Sequence, residues 1–182
     1  MKTRLYVIAG LLLLTAAGCR KTVDYPIEPQ ISYEGFKYVT DENGNYTGQG
    51  VLTFSYIDGD GDLGLDDSDT LSPFGFGEQY YYNLIIEYRK YQNGAFVATP
   101  IVIWNASTQS YDTTTFSARF KRLLDSEDDK PITGTMDYTM DILNPLSQGD
   151  TVKFAVKIID RALHERNTIE TDVILTNPDL KR

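Results

Sequence analysis

Apolar and polar residues alternate with a period of two along most of the chain. Leu52, Phe54 and Tyr56 are separated by Thr53 and Ser55, and Tyr82, Leu84, Ile86 and Tyr88 alternate with Asn83, Glu87 and Arg89. Met136, Tyr138, Met140 and Ile142 alternate with Asp137, Thr139 and Asp141. Val152, Phe154, Val156 and Ile158 flank Lys153 and Lys157, and Ile169, Thr171, Val173 and Leu175 flank Glu170 and Asp172. Successive side chains of a strand point to opposite faces, so each run predicts a strand with one apolar and one wetted face, as in antiparallel sheets. Less regular runs at Ile31–Val39, Phe96–Trp104 and Thr113–Phe120 predict three more strands. Asn43-Gly44, Asn93-Gly94 and Asn144-Pro145 running on to Gly149-Asp150 supply the turns. Ala118–Glu127, the best stretch for a helix, is short and lacks a full apolar stripe. Roughly eight antiparallel strands at this spacing predict an all-β fold, a single immunoglobulin-like β-sandwich over residues 31–178. No repeat and no second domain interrupts it.

The alternation begins only after a different kind of segment. Lys2 and Arg4 precede an almost wholly apolar run, Leu5–Ala17, which ends Thr15-Ala16-Ala17-Gly18-Cys19. A basic start, an apolar stretch too short to span a bilayer and small residues at its end predict a cleaved signal peptide over residues 1–18. Small residues directly ahead of a cysteine resemble a bacterial lipobox, which implies lipidation of Cys19. Ala16 stands where such motifs most often carry Leu. Residues 19–30, with Pro26 and Pro29, read as the lipidated Cys and an extended tether.

Composition narrows the function classes. The 182 residues carry 17 Lys and Arg against 26 Asp and Glu, a net charge of −9. Loss of Lys2 and Arg4 with the leader leaves 15 basic residues and a net of −11. Such a surface repels phosphates, which excludes nucleic acid as a partner and leaves lipid, not headgroup attraction, to hold a membrane. One Cys and one His rule out an internal disulfide, a Cys-based zinc site and a His-rich centre. No GxSxG, HExxH, P-loop or dinucleotide-binding glycine pattern occurs, and the chain is not expected to be an enzyme. Paired carboxylates could hydrolyse a glycoside, but among so many acids no pair stands out.

The acidic residues are unevenly placed. Asp58-Gly59-Asp60-Gly61-Asp62-Leu63-Gly64-Leu65-Asp66-Asp67-Ser68-Asp69 follows the strand ending at Ile57, and no Lys, Arg or His occurs between Tyr38 and Tyr88. Alternate carboxylates in a glycine-rich curl can converge, and hard oxygens in that number suit Ca²⁺. Without a cation, like charges within about 5 Å destabilise a compact loop. Asp58, Asp60 and Asp62 are the first candidate ligands, followed by Asp66, Asp69 and Asp160. The spacing partly follows an EF-hand loop, but Leu63 replaces its glycine, Asp69 its final Glu, and the flanks are strands. The competing reading is a solvated acidic turn without metal. Leu63 and Leu65 are expected to pin the loop to the sandwich. In an immunoglobulin-like sandwich the loop beginning at Asp160 lies at the same end. There Asp160 either joins the ligands or caps its strand, and Arg161 can pair with a spare carboxylate. Phe74, Phe76 and Tyr81, just beyond, either dock a protein or glycan partner or fold over a sheet edge as core. Trp104 reads as core or edge.

The runs Phe54–Gly64, Tyr81–Leu84 and Ile159–Ala162, with Asn167-Thr168, resemble a family of uncharacterised Bacteroidota lipoproteins. That resemblance implies an immunoglobulin-like or fibronectin-III-like sandwich on an outer membrane, facing the periplasm or the cell surface, and no defined activity. Arg20-Lys21 stand where surface-exported members of that phylum often carry acidic residues. The expected function is a lipid-anchored binding or interaction module with a calcium-stabilised loop. The alternatives are an accessory subunit of an outer-membrane transport or assembly complex and, further off, a carbohydrate-active enzyme.

Overall fold

The computed structural model describes residues 25–124, 130–142 and 149–181. The signal-peptide and Cys19 expectations, and part of the turn at Asn144-Pro145, fall outside these residues. Among the described residues ten strands run in chain order: β1 (Gln30–Thr40), β2 (Tyr46–Asp58), β3 (Leu84–Gln92), β4 (Ala95–Ala98), β5 (Ile101–Asn105), β6 (Ser110–Thr114), β7 (Ile132–Asp141), β8 (Thr151–Ile158), β9 (Ile169–Glu170) and β10 (Ile174–Leu175). A 3₁₀ turn follows at Pro178–Lys181. All strand pairs are antiparallel. One sheet has the order β1-β2-β7, the second β10-β8-β3-β4 with β9 also on β8, and β5-β6 is a separate hairpin. The all-β sandwich is therefore as the alternation predicts.

The apolar faces of the two sheets meet in one core. Leu52 and Phe54 of the first sheet lie against Leu84, Ile86, Val152, Phe154 and Val156 of the second, all buried. Phe154 is ringed by Phe36, Tyr88 and Phe116 at centroid distances of 6.3, 6.0 and 5.3 Å. Each fully buried aliphatic or aromatic side chain stabilises such a core by about 1.5–3 kcal/mol.

Two predicted strands are broken, for reasons that differ. Phe96–Trp104 divides at Pro100 into β4 and β5, because proline cannot donate to a ladder. The hairpin that follows leaves Trp104 half exposed, packed edge-on against Tyr111. Ile169–Leu175 divides because a residue is inserted. β9 pairs Glu170 with Ala155, and β10 pairs Ile174 with Val152, so the register slips by one position at Asp172 and Val173. Threonine hydroxyls bridge the irregularity: Phe154 N donates to Thr171 Oγ1 and Asp150 N to Thr176 Oγ1. The slip turns Val173 outward and Ile174 and Thr176 inward, reversing the faces predicted for residues 173–176. The Thr113–Phe120 prediction keeps only β6 and one bridge, Ala118 to Leu84.

One end of the sandwich gathers five strand ends. β1 begins opposite Ile57, β2 ends at Asp58 opposite Ile132, and β8 ends at Ile158 opposite Leu84. Residues 25–29 are not free tether, since Pro29 is fully buried there. Asn167 ties the 159–168 loop to the same end: Ile31 N donates to its Oδ1 and its Nδ2 donates to Ile31 O.

Candidate metal centre

The acidic run leaves β2 at this crowded end, and its glycines let it fit. A Cβ on Gly59 would lie 2.5 Å from Tyr25 O and 2.6 Å from Pro26 O. At Gly61 (φ +75°) it would meet Lys130 O at 2.2 Å, and at Gly64 (φ +97°) Lys121 O at 2.3 Å. These glycines therefore meet two demands: a left-handed backbone at Gly61 and Gly64, and carbonyls from three other segments pressed against the chain. Leu63 and Leu65 are buried as anticipated, and their backbone joins the neighbouring segment through Leu65 N to Phe120 O and Leu123 N to Leu63 O.

This curl points three alternate carboxylates the same way. Asp58, Asp60 and Asp62 meet Asp160, with one oxygen of each within 4.8 Å of the others. Asp58 and Asp160 are buried, at 0% and 1% exposure. Both oxygens of Asp58, Oδ1 of Asp60 and Oδ1 of Asp62 are buried and accept no hydrogen bond. An unsatisfied buried polar group ordinarily costs about 1–3 kcal/mol, more when charged. Asp62 and Asp160 are held from their other oxygens: Ala162 N donates to Asp62 Oδ2 at 3.0 Å, and His164 N to Asp160 Oδ1 at 2.7 Å. His164 Nδ1 lies 3.0 Å from Asp160 Oδ2. Asp160 thus both caps its turn and joins the cluster.

Crowding shows in the proton affinities. Burial, and then the charges of Asp60, Asp62 and Asp160, push Asp58 up to about 7. Burial lifts Asp160 to about 6 against the opposing His164 hydrogen bonds, and burial with the Asp60 charge raises Asp62. Four carboxylates so arranged can hold a metal ion.

Asp66 and Asp69 do not join them. Once Leu63 and Leu65 are buried the chain turns away, and basic residues distant in sequence reach the second half of the run. Arg161 Nη1 lies 3.4 Å from Asp66 Oδ2 and pairs closely with Asp69 Oδ2; Arg122 approaches Asp66 at 3.7 Å and Lys121 holds Asp67 at 2.9 Å. Burial raises Asp69, but the Asp66 N–H and Arg161 outweigh it and hold its carboxyl below the usual range. The run is thus split into a paired half and an unpaired half.

Arg119 carries a role that strand periodicity conceals. Its guanidinium donates to four backbone carbonyls, those of Asp66, Asp69, Phe74 and Tyr81, and stacks 5.5 Å over the Tyr81 ring. It is the hub on which the 66–82 loop is wound. Phe74 is half buried, whereas Phe76 stands 88% exposed and packs edge-on against Tyr81 at 5.3 Å. A cleft of about 600 Å³ lies elsewhere, beside the β5–β6 hairpin, lined by Tyr88, Lys90 and Asp150. Its buried carboxylate is already satisfied, by Tyr88 Oη at 2.8 Å and Lys90 Nζ at 2.5 Å. No family model matches the chain, and no curated protein matches it either.

Proposed function

We propose that this chain is a lipid-anchored outer-membrane β-sandwich that serves as a non-catalytic binding or interaction module, with one Ca²⁺ held by Asp58, Asp60, Asp62 and Asp160. The observation that carries the metal reading is Asp58, fully buried with both oxygens unpartnered among three further carboxylates. A divalent ion satisfies those oxygens and offsets their mutual repulsion together. An all-oxygen set favours a hard cation, and Ca²⁺ accepts irregular sets of six to eight oxygens, whereas Mg²⁺ demands a near-ideal octahedron. Its role is structural: it draws the β2 end, the 159–168 loop and the residues leading into β1 into one rigid end. Anchoring rests on the leader and on Cys19, the chain's single cysteine.

Calorimetric and melting titrations with Ca²⁺ test the metal reading. Wild type should bind one ion and melt higher. Asp58→Asn and Asp62→Asn should lose the response, while Asp66→Asn keeps it. A wild-type protein whose melting does not change removes calcium from the account.

A further inference from the structure

The end of the sandwich that holds the acidic cluster also carries the most exposed large apolar side chains among the described residues, Phe76 at 88% and Leu71 at 81%. They stand on the loop between β2 and β3. That loop is held in shape before any partner arrives, by the four carbonyl bonds of Arg119, the Arg161 pairs to Asp66 and Asp69, and the Phe76–Tyr81–Tyr82 ring contacts. Its charge is muted where the apolar residues begin, because Asp66, Asp67 and Asp69 all have basic partners.

The chain enters the domain at this same end. The carbonyls of Tyr25 and Pro26 press against Gly59, and Pro29 is buried beneath. Only Arg20–Asp24 separate Cys19 from this docked segment, a reach of at most about 20 Å even when fully extended. A lipid on Cys19 therefore holds this end, and not the opposite one, beside the bilayer.

We infer that Leu71 and Phe76 form a second membrane contact, dipping into the bilayer interface beside the anchor and fixing how the sandwich stands on it. The partner is a lipid surface: the contact is apolar and shallow, and it lacks the clustered cations that would read a headgroup. This inference rests on the anchored reading proposed above.

The test uses the mature, processed protein reconstituted into phosphatidylethanolamine–phosphatidylglycerol vesicles containing phosphatidylcholine brominated near the headgroup end of its chains. Trp104, the only tryptophan, is replaced by Phe, and Phe76→Trp or Leu71→Trp supplies a probe at an already exposed position. Both indoles should shift to shorter wavelength and lose emission to the bromines, while Trp104 of the unaltered protein keeps its emission. Partition of the same preparations into detergent, with Cys19→Ala produced without residues 1–18 as control, separates the two claims. Protein that partitions with detergent while both indoles stay unquenched overturns the membrane contact and leaves the anchor standing. Protein that stays aqueous, as Cys19→Ala should, overturns the anchor and the contact with it.

Discussion

At Asp58 one side chain decides between two states of the loop. Its carboxyl lies at the end of a buried strand, where charge is costly, yet its neighbours are three more carboxylates. Exchange for an amide removes the repulsion and keeps the shape. In chelator, Asp58→Asn should therefore melt above wild type, by about 3 °C or more if about 1 kcal/mol is recovered, and calcium should no longer move it. Proton linkage gives a second check. Asp58 is raised from 3.8 to about 7 and Asp160 from 3.8 to about 6. Between about pH 4 and 7 the folded state thus holds protons that the unfolded state has released, so calcium-free stability falls as pH rises through that window. The stabilisation gained from calcium should grow over the same window, as the metal displaces fewer protons. Melting curves across pH, with chelator and with calcium, read both trends. Which carboxylates lack a base in their own stretch of chain can be read from the one-dimensional sequence. Which of them later meet Arg161, Arg122 or Lys121 depends on side chains folded in from 54 to 95 residues away, so Asp66 and Asp69 could not be told from Asp58 beforehand.

The elements divide into those set by periodicity and those set by single contacts. Period-two runs placed β2, β3, β7 and β8 because each presents an unbroken apolar face to one core. The last run failed where an inserted residue reversed its faces, and hydrophobicity alone does not mark a bulge whose place is held by Thr171 and Thr176 hydroxyls. The acidic loop depends on glycine in a way that a matched pair can expose. Gly61 and Gly44 have similar angles, φ +75° and +80°, but only Gly61 faces a backbone carbonyl at 2.2 Å. Gly44→Ala should cost only the left-handed penalty, about 1–2 kcal/mol. Gly61→Ala should cost clearly more in denaturant unfolding and should weaken calcium binding as well; equal costs would mean that the close approach is unimportant. Arg119→Lys retains charge but not the planar fork that spans four carbonyls. Hydrogen exchange should then quicken across residues 66–82 while the β3 and β8 amides stay protected.

For the whole molecule, strand, loop and incoming chain converge at one end, so the cluster closes a seam between elements far apart in sequence. Removing residues 25–29 should lower both melting temperature and calcium affinity, although no proposed ligand is lost, because the carbonyls packed on Gly59 go with them. The sandwich itself was readable from alternation, since a domain of this size must bury one face of every strand. The docking of residues 25–29 was not, because Pro26 and Pro29 read equally well as spacer. The most direct measurement is a crystal structure grown with calcium in excess. An ion should lie about 2.3–2.6 Å from oxygens of Asp58, Asp60, Asp62 and Asp160 together. An ion held instead by Asp66 and Asp69, or these four carboxylates turned outward with only water among them, would contradict the account.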